Sequence, residues 1–327
     1  MTGCAWSRRK FLRVAGGAAG IAAAKGLGLI AGGAGSPGSG FASLLEAQAA
    51  SAAAVPVSVA SGPNAAENVR RAIAALGGIK AFVSRGDVVV LKPNIGWDRT
   101  PEQAANTDPE VVVAVAELCL SAGAKEVRVF DRTCNEPRRC YASSGIQAAV
   151  ERFGKRNHAA DAVRIYHVED RKFRRTSIPG ALVLKEWDFY RDALEADRIV
   201  NVPVAKHHSL ATATLGLKNM MGVMGGNRGQ IHFNLSDCLV DVNRRLPSRL
   251  TVIDATRVLL RNGPSGGNLA DVRAVGKVFA SADIVAADVV AAERIFGLSP
   301  GDVAHIKKAL GFGVGISSPA QIRVVEG

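Results

Sequence analysis

The sequence predicts an α/β protein whose mostly parallel sheet carries helices on both faces, built as one large domain or two closely packed lobes. Three observations predict it. From about residue 64 onward, segments of helical period alternate with short β-branched runs, the pattern left by crossovers between parallel strands. Setting aside the first 54 residues leaves 273 of 327, enough to bury a large core. No internal repeat of fixed period argues for a solenoid.

In chain order, residues 1–54 read as an address and not a fold. Ser7-Arg8-Arg9-Lys10-Phe11-Leu12 pairs two arginines ahead of an Ala/Gly-rich apolar run, the form of a twin-arginine signal. The run from Val14 to Gly33 is about long enough to cross a bilayer, but Lys25 and many glycines suit a signal better than a stable span; an uncleaved anchor is the alternative. Small residues between Ala47 and Ala54 supply cleavage sites, so the mature chain is expected to start near Val55. Export by the Tat translocase to the periplasm or the exterior, without a stable membrane anchor, follows as the expectation. Residues 55–63 continue an Ala/Ser/Gly/Pro-rich stretch and read as linker, with the α/β domain over 64–327.

Helical period covers Ala65 to Leu76, and Asp87 to Leu91 is the first strand. Helix Pro109 to Ala122, strand Glu126 to Phe130, helix Gly145 to Phe153 and strand Val163 to His167 follow. Then come strand Asp197 to Val202, helix Ser209 to Met221, helix Ser236 to Arg244, and strands Arg249 to Asp254 and Lys277 to Ser281. Helices Ile284 to Phe296 and Gly301 to Leu310 precede a last run at Gln321 to Val325. In open parallel sheets ligands gather where strands end at their carboxyl edges. Four strands here end polar, at Lys92-Pro93-Asn94, Asp131, Asn201 to Lys206, and Asp254 with the following Gly263-Pro264-Ser265 loop.

The whole chain holds 41 basic and 29 acidic residues; loss of the leader leaves 36 and 28, a balance of +8. Few aromatic residues lie among the arginine runs to stack bases, so the charge favours a small anionic ligand over nucleic acid. Cys119 and Cys238 lie in periodic segments as small core residues, whereas Cys134 and Cys140 flank a polar loop and could close a disulfide. No CxxC spacing occurs, so no iron–sulfur cluster is expected within the chain. Gly311-Phe312-Gly313-Val314-Gly315 follows a helical segment, not a strand, which argues against a dinucleotide loop there; no Walker A, GxSxG or HExxH sequence is present.

Three of the six histidines, His207, His208 and His232, fall within 26 residues around Lys206, Thr214, Lys218 and Asn219. If Ser209 caps a helix, its first turn and Lys206 form an anion seat, and Thr214 and Lys218 share one face. Glycines 222, 225, 226 and 229 let the chain reverse and return His232 toward Lys218 and His208. Crowded cations disfavour one another's charged forms, and a neutral lysine is a nucleophile or base while a neutral histidine can bind metal. The bland alternative is solvated polar residues. Asp288 stands unexplained in a helix of Ala, Val and Ile.

From about Val88 to Gly315 the chain resembles the family known as domain of unknown function 362. The resemblance is carried by Leu91-Lys92-Pro93-Asn94, Asn201-Val202-Pro203 with Lys206 and His208, Thr214 to Lys218-Asn219 with Gly222, His232, Gly263-Pro264-Ser265-Gly266 after Asp254, and Ser281-Ala282-Asp283 with Asp288. Val204 departs from the pattern, where lysine is common. The resemblance implies a site and no settled reaction. The order His208, Lys218, His232 is also similar in spacing to lactate-racemase-type enzymes, which implies a metal-containing nickel cofactor on Lys218, His232 as ligand and His207 or His208 moving the proton.

The reading that results is an exported enzyme, isomerase-like or redox-associated. Its catalytic residues are His208, Lys218 and His232; its ligand contacts are Lys92, Asn94, Asp131, Lys206, Thr214, Asn219, Asp254, Gly263 and Ser265. A metal ion or metal-containing cofactor would sit on His208 and His232. The alternatives are a non-catalytic periplasmic anion- or metal-binding protein and a partner of an iron–sulfur protein.

Overall fold

The computed structural model describes residues 54–327. The twin-arginine motif and the expected cleavage region up to Ala53 lie outside the described residues. The described residues form twelve strands: β1 (Val55–Ser61), β2 (Val88–Pro93), β3 (Glu126–Val129), β4 (Val163–Ile165), β5 (Phe173–Ser177), β6 (Glu186–Tyr190), β7 (Arg198–Val202), β8 (Val204–His208), β9 (Thr212–Thr214), β10 (Leu250–Leu259), β11 (Val272–Ser281) and β12 (Ile322–Glu326). The helices are α1 (Ala65–Ala74), α2 (Pro109–Ser121), α3 (Pro137–Ser143), α4 (Ile146–Arg156), α5 (Arg191–Leu194), α6 (Gly216–Asn219), α7 (Leu235–Arg245), α8 (Ile284–Ala291) and α9 (Ala304–Leu310).

Ten strands form one sheet with the order β12-β1-β11-β10-β7-β2-β3-β4, and β8 and β9 attach beside β10. β4, β3, β2, β7 and β10 run parallel, β11 is reversed between β10 and β1, and β12 is parallel to β1. The fold is therefore α/β with a mostly parallel sheet. Alternate residues of one strand feed opposite faces, as the pleat requires. Val89 and Leu91 pack with Ile73 of α1, Val111 and Val115 of α2 and Val150 of α4. Val90 joins the other layer, with Leu239 of α7, Val289 of α8 and Ile306 of α9. Each fully buried aliphatic side chain there contributes about 1.5–3 kcal/mol.

Chain order runs β2, β3, β4 to one side, while β7 takes the other flank of β2. The crevice at such a reversal is open because successive crossovers leave it in opposite directions. The carboxyl ends of β7, β2 and β3 thus converge at one edge, with Lys92 opposite Asn201 in register.

Three local differences from the sequence reading matter. Residues 55–61 are not linker but strand β1: Val55, Val57 and Val59 alternate, residues 55–59 pair with β12, and residues 58–61 pair with β11. The segment 209–221 is not one helix. It forms the hairpin β8–β9, in which Lys206 faces Thr214 and His208 faces Thr212, followed by the single turn α6 and a 3-10 turn at Met220–Val223. Ser209 caps nothing; its N–H donates to the Gly263 carbonyl at 3.1 Å. Cys134 and Cys140 form no disulfide: both are free thiols, Cys134 exposed and Cys140 buried in α3. Among the described residues no helix is long and apolar enough to cross a membrane.

Candidate functional site

The floor of the site is a polar lattice at the β7-β2-β3 edge. Lys92, wholly buried, pairs with Asp131 at 2.8 Å. Asn219 of α6 ties the strands together: its amide nitrogen donates to the Lys92 carbonyl (3.0 Å) and to Asn201 Oδ1 (2.8 Å), and its oxygen accepts from Asn94 (3.1 Å). Burial pulls the Lys92 ammonium below its ordinary range, and Asp131 opposes that pull. Gly222 closes over this pair so tightly that a Cβ would lie 1.7 Å from Asp131 Oδ1 and 2.4 Å from Lys92 Cε. No side chain fits there.

One wall is the β8–β9 hairpin with α6. Lys206 and Thr214 are cross-strand partners, so their side chains leave the same face. The Lys206 ammonium donates to the Ala105 carbonyl and to Asn94 Oδ1 (3.2 Å) and lies 6.0 Å from the Trp97 ring centre. Burial pulls its pKa down to about 7. The Thr214 hydroxyl is buried at the cavity wall without a hydrogen-bond partner. Lys218 is 8 % exposed, and its Nζ rests 3.3 Å from Met221 Sδ. Burial, aided by the Arg228 guanidinium, brings it to about 8. Asp288 holds α6 in place: its two carboxylate oxygens accept from the N–H groups of Gly216 (2.6 Å) and Leu217 (2.9 Å), the free donors of a helix start.

The opposite wall is the reversal after Met221. It returns His232 to His208, with ring centres 6.1 Å apart and planes at 26°. Arg228 spans the turn, donating to the carbonyls of Thr133 (2.8 Å) and Met221 (3.2 Å). The two imidazoles have opposite roles. A carbonyl only accepts, so His232 Nδ1, 3.0 Å from the Gly229 oxygen, carries the hydrogen and leaves Nε2 as a free base. In His208 the backbone N–H groups of Leu210 and Ala211 both donate to Nδ1 (3.1 and 3.2 Å), so the hydrogen is on Nε2. Burial, then Lys218 and Lys206, press His208 down to about 3, and burial also lowers His232. Both rings are neutral near pH 7.

Between these walls lies a cavity of about 490 Å³. Lys92, Lys206, Lys218, Arg132 and Arg228 stand around it, and the one carboxylate there among the described residues, Asp131, is already paired. A larger groove of about 1000 Å³ runs along α1, α2 and α4, but its charges are mixed and mutually paired, as in Arg70–Glu117 at 2.8 Å.

The family model for a domain of unknown function (DUF362) matches residues 89–293. The chain belongs to the DUF362 family. A thylakoid-associated protein of Synechocystis sp. is 27% identical over 251 residues, covering 72% of this chain and 71% of that protein. The lactate racemase apoprotein from Thermoanaerobacterium thermosaccharolyticum aligns at a TM-score of 0.41 and 12% identity over 72% of this chain. The alignment spans 56% of that structure's length.

Of the residues singled out from sequence, this DUF362 cavity brings together Asn94, Asp131, Lys206, His208, Thr214, Lys218, Asn219 and His232, with Lys92 beneath. Three others lie elsewhere. Asp254 sits inside β10, because that strand runs on to Leu259, and its oxygens accept from the N–H groups of Asp108 (2.7 Å) and Thr256 (2.9 Å). Gly263 packs its backbone on His207, whose Nδ1 accepts from the Gly263 N–H at 3.1 Å, so that imidazole turns away from the cavity. Ser265 is half-buried in the same loop, and Pro264 reaches the cavity instead.

A metal shared by His208 and His232 does not fit this arrangement. The His208 lone pair is taken by two backbone donors, which leaves one free imidazole nitrogen at His232 beside the Lys218 amine. Among the described residues no group of three or more His, Cys, Asp or Glu could hold a metal ion. The residues missed from sequence are Trp97, Arg132 and Arg228. Arg132 follows Asp131 at a strand end and was open to the same argument; Arg228 and Trp97 enter only through loops whose paths sequence does not encode.

Proposed function

We propose that this protein is an enzyme that binds a small organic anion in the Lys/His cavity and acts on it with Lys218 and the two neutral imidazoles. One observation carries the reading: the cavity gathers several cationic side chains, and its only carboxylate among the described residues is consumed by Lys92, so its net charge is unbalanced until an anion enters. The unpartnered Thr214 hydroxyl supports it, because a buried polar group without a partner is costly unless a ligand supplies one. Lys206 and Arg228 bind the anion. His232 Nε2 accepts a proton and His208 Nε2–H donates a hydrogen bond. Export by the Tat pathway to the periplasm or exterior belongs to the same proposal, supported by Ser7-Arg8-Arg9-Lys10-Phe11-Leu12.

The test is calorimetric titration with oxalate, a compact dianion without a reactive carbonyl. Oxalate is expected to bind at one site, and Lys206→Gln to weaken it about tenfold or more, the usual worth of a charged hydrogen bond. An unchanged affinity in that variant would remove the cavity from the reading.

A further inference from the structure

We infer that the substrate is a small 2-oxo acid and that the Lys218 amine forms an imine with its carbonyl. This rests on the anion-binding reading and goes past it by naming the bond that forms.

The geometry separates two kinds of amine. Lys92 and Lys206 are tied down, the first by Asp131 and the second by the Ala105 carbonyl and Asn94. Lys218 has only a thioether beside its nitrogen, and no carboxylate pairs with it among the described residues. A nitrogen held against sulfur and apolar surface, close to other cations, keeps a usable lone pair. It also faces the cavity. A ligand that places an electrophilic carbon at this nitrogen must therefore bring its negative charge to the Lys206 and Arg228 side. Adjacent carbonyl and carboxylate groups satisfy both demands within about 490 Å³. The unpartnered Thr214 hydroxyl, cross-strand from Lys206, is placed to bond that carboxylate.

The step balances without any further reagent. The Lys218 lone pair adds to the carbonyl carbon while the oxygen accepts a hydrogen bond from His208 Nε2–H. One nitrogen proton passes to His232 Nε2 and then to the oxygen, giving a carbinolamine. The nitrogen lone pair expels the hydroxyl, which takes the second nitrogen proton by the same route and leaves as water. The amine and the carbonyl compound thus become an imine and one water. Cys134, exposed on the cavity wall, is the rival nucleophile. Its addition would give a hemithioacetal, which borohydride reagents do not convert into a stable adduct.

The experiment incubates the purified protein with pyruvate or 2-oxoglutarate and sodium cyanoborohydride, followed by intact mass and peptide mapping. The expected result is a reduced adduct on Lys218, at concentrations that leave other lysines unlabelled, suppressed by oxalate and absent in Lys218→Gln. In Lys206→Gln, half-labelling should need about tenfold more oxo acid. If oxalate binds but neither oxo acid labels Lys218, or if label spreads over surface lysines without oxalate protection, the imine is overturned and the anion site stands. If oxalate does not bind and Lys218 stays unlabelled, both readings fall.

Discussion

Burial disfavours the charged forms of Lys206 and Lys218, and this gives ligand binding and stability opposite pH trends. Their folded-state pKa values, about 7 and about 8, lie below the unfolded value, so between about pH 7 and 10.5 the unfolded chain binds more protons. The cost of burying these ammonium groups is full at low pH and relieved as pH rises, so their contribution favours the fold increasingly above neutrality. Anion affinity runs the other way, falling from pH 6.5 to 9, with the midpoint moved upward by the bound anion itself. Oxalate titrations at three pH values, beside thermal melts of native and Lys206→Met protein, check both signs: the variant's relative stability should be highest near pH 6 and decline toward pH 10. Gly222 makes a steric prediction at the same scale. Gly222→Ala must displace the Lys92–Asp131 pair and should cost about 1–3 kcal/mol or more in a denaturant titration, as overpacking of a rigid site does. The cation and imidazole cluster was legible in sequence because reactive residue types recur at close spacing. The tautomers were not, since each depends on a backbone partner, Gly229 or Leu210 and Ala211, that only the folded path supplies.

The decisive element is the single turn α6, and Asp288 is what fixes it. Lys218 and Asn219 ride on this turn, whose first N–H groups have no helical partner of their own. Asp288→Ala should therefore cost about 2–4 kcal/mol, from two buried donors left unbonded, and should weaken oxalate binding beyond its effect on melting temperature. Asp288→Asn keeps one acceptor and should fall between. The sequence reading of 209–221 as one helix failed for a physical reason. Leu210, Leu217 and Met221 mimic a helical stripe, but Thr212 adopts φ +65°, the left-handed region, and turns the chain into β9. Leu210 is accordingly exposed at 73%, not packed. Thr214 and Lys218 still meet the same cavity, through a hairpin and a turn instead of a shared helical face. The β5–β6 ribbon was also invisible from sequence, because Phe173-Arg174-Arg175-Thr176-Ser177 carries too little apolar alternation to mark a strand.

For the whole molecule, the parallel sheet and its two helical layers were readable because each crossover leaves a change of period, from two to 3.6, in the chain. The antiparallel insertion of β11 was not, since strand direction within a sheet leaves no local mark. Export is the prediction at this scale. Replacing Arg8 and Arg9 by lysine should leave the protein in the cytoplasm, folded and still binding oxalate, which fractionation and titration together measure. Unchanged export in that variant would remove the twin-arginine assignment.

The pairing of β1 with both β11 and β12 has a temporal consequence. During synthesis β1 emerges from the ribosome long before either neighbour exists, and its backbone donors and acceptors stay solvated until β11 (Val272–Ser281) and then β12 (Ile322–Glu326) have been added. Completion of the sheet then joins the two ends of the described residues, and a nascent product stopped before β11 keeps an open strand edge available to other chains.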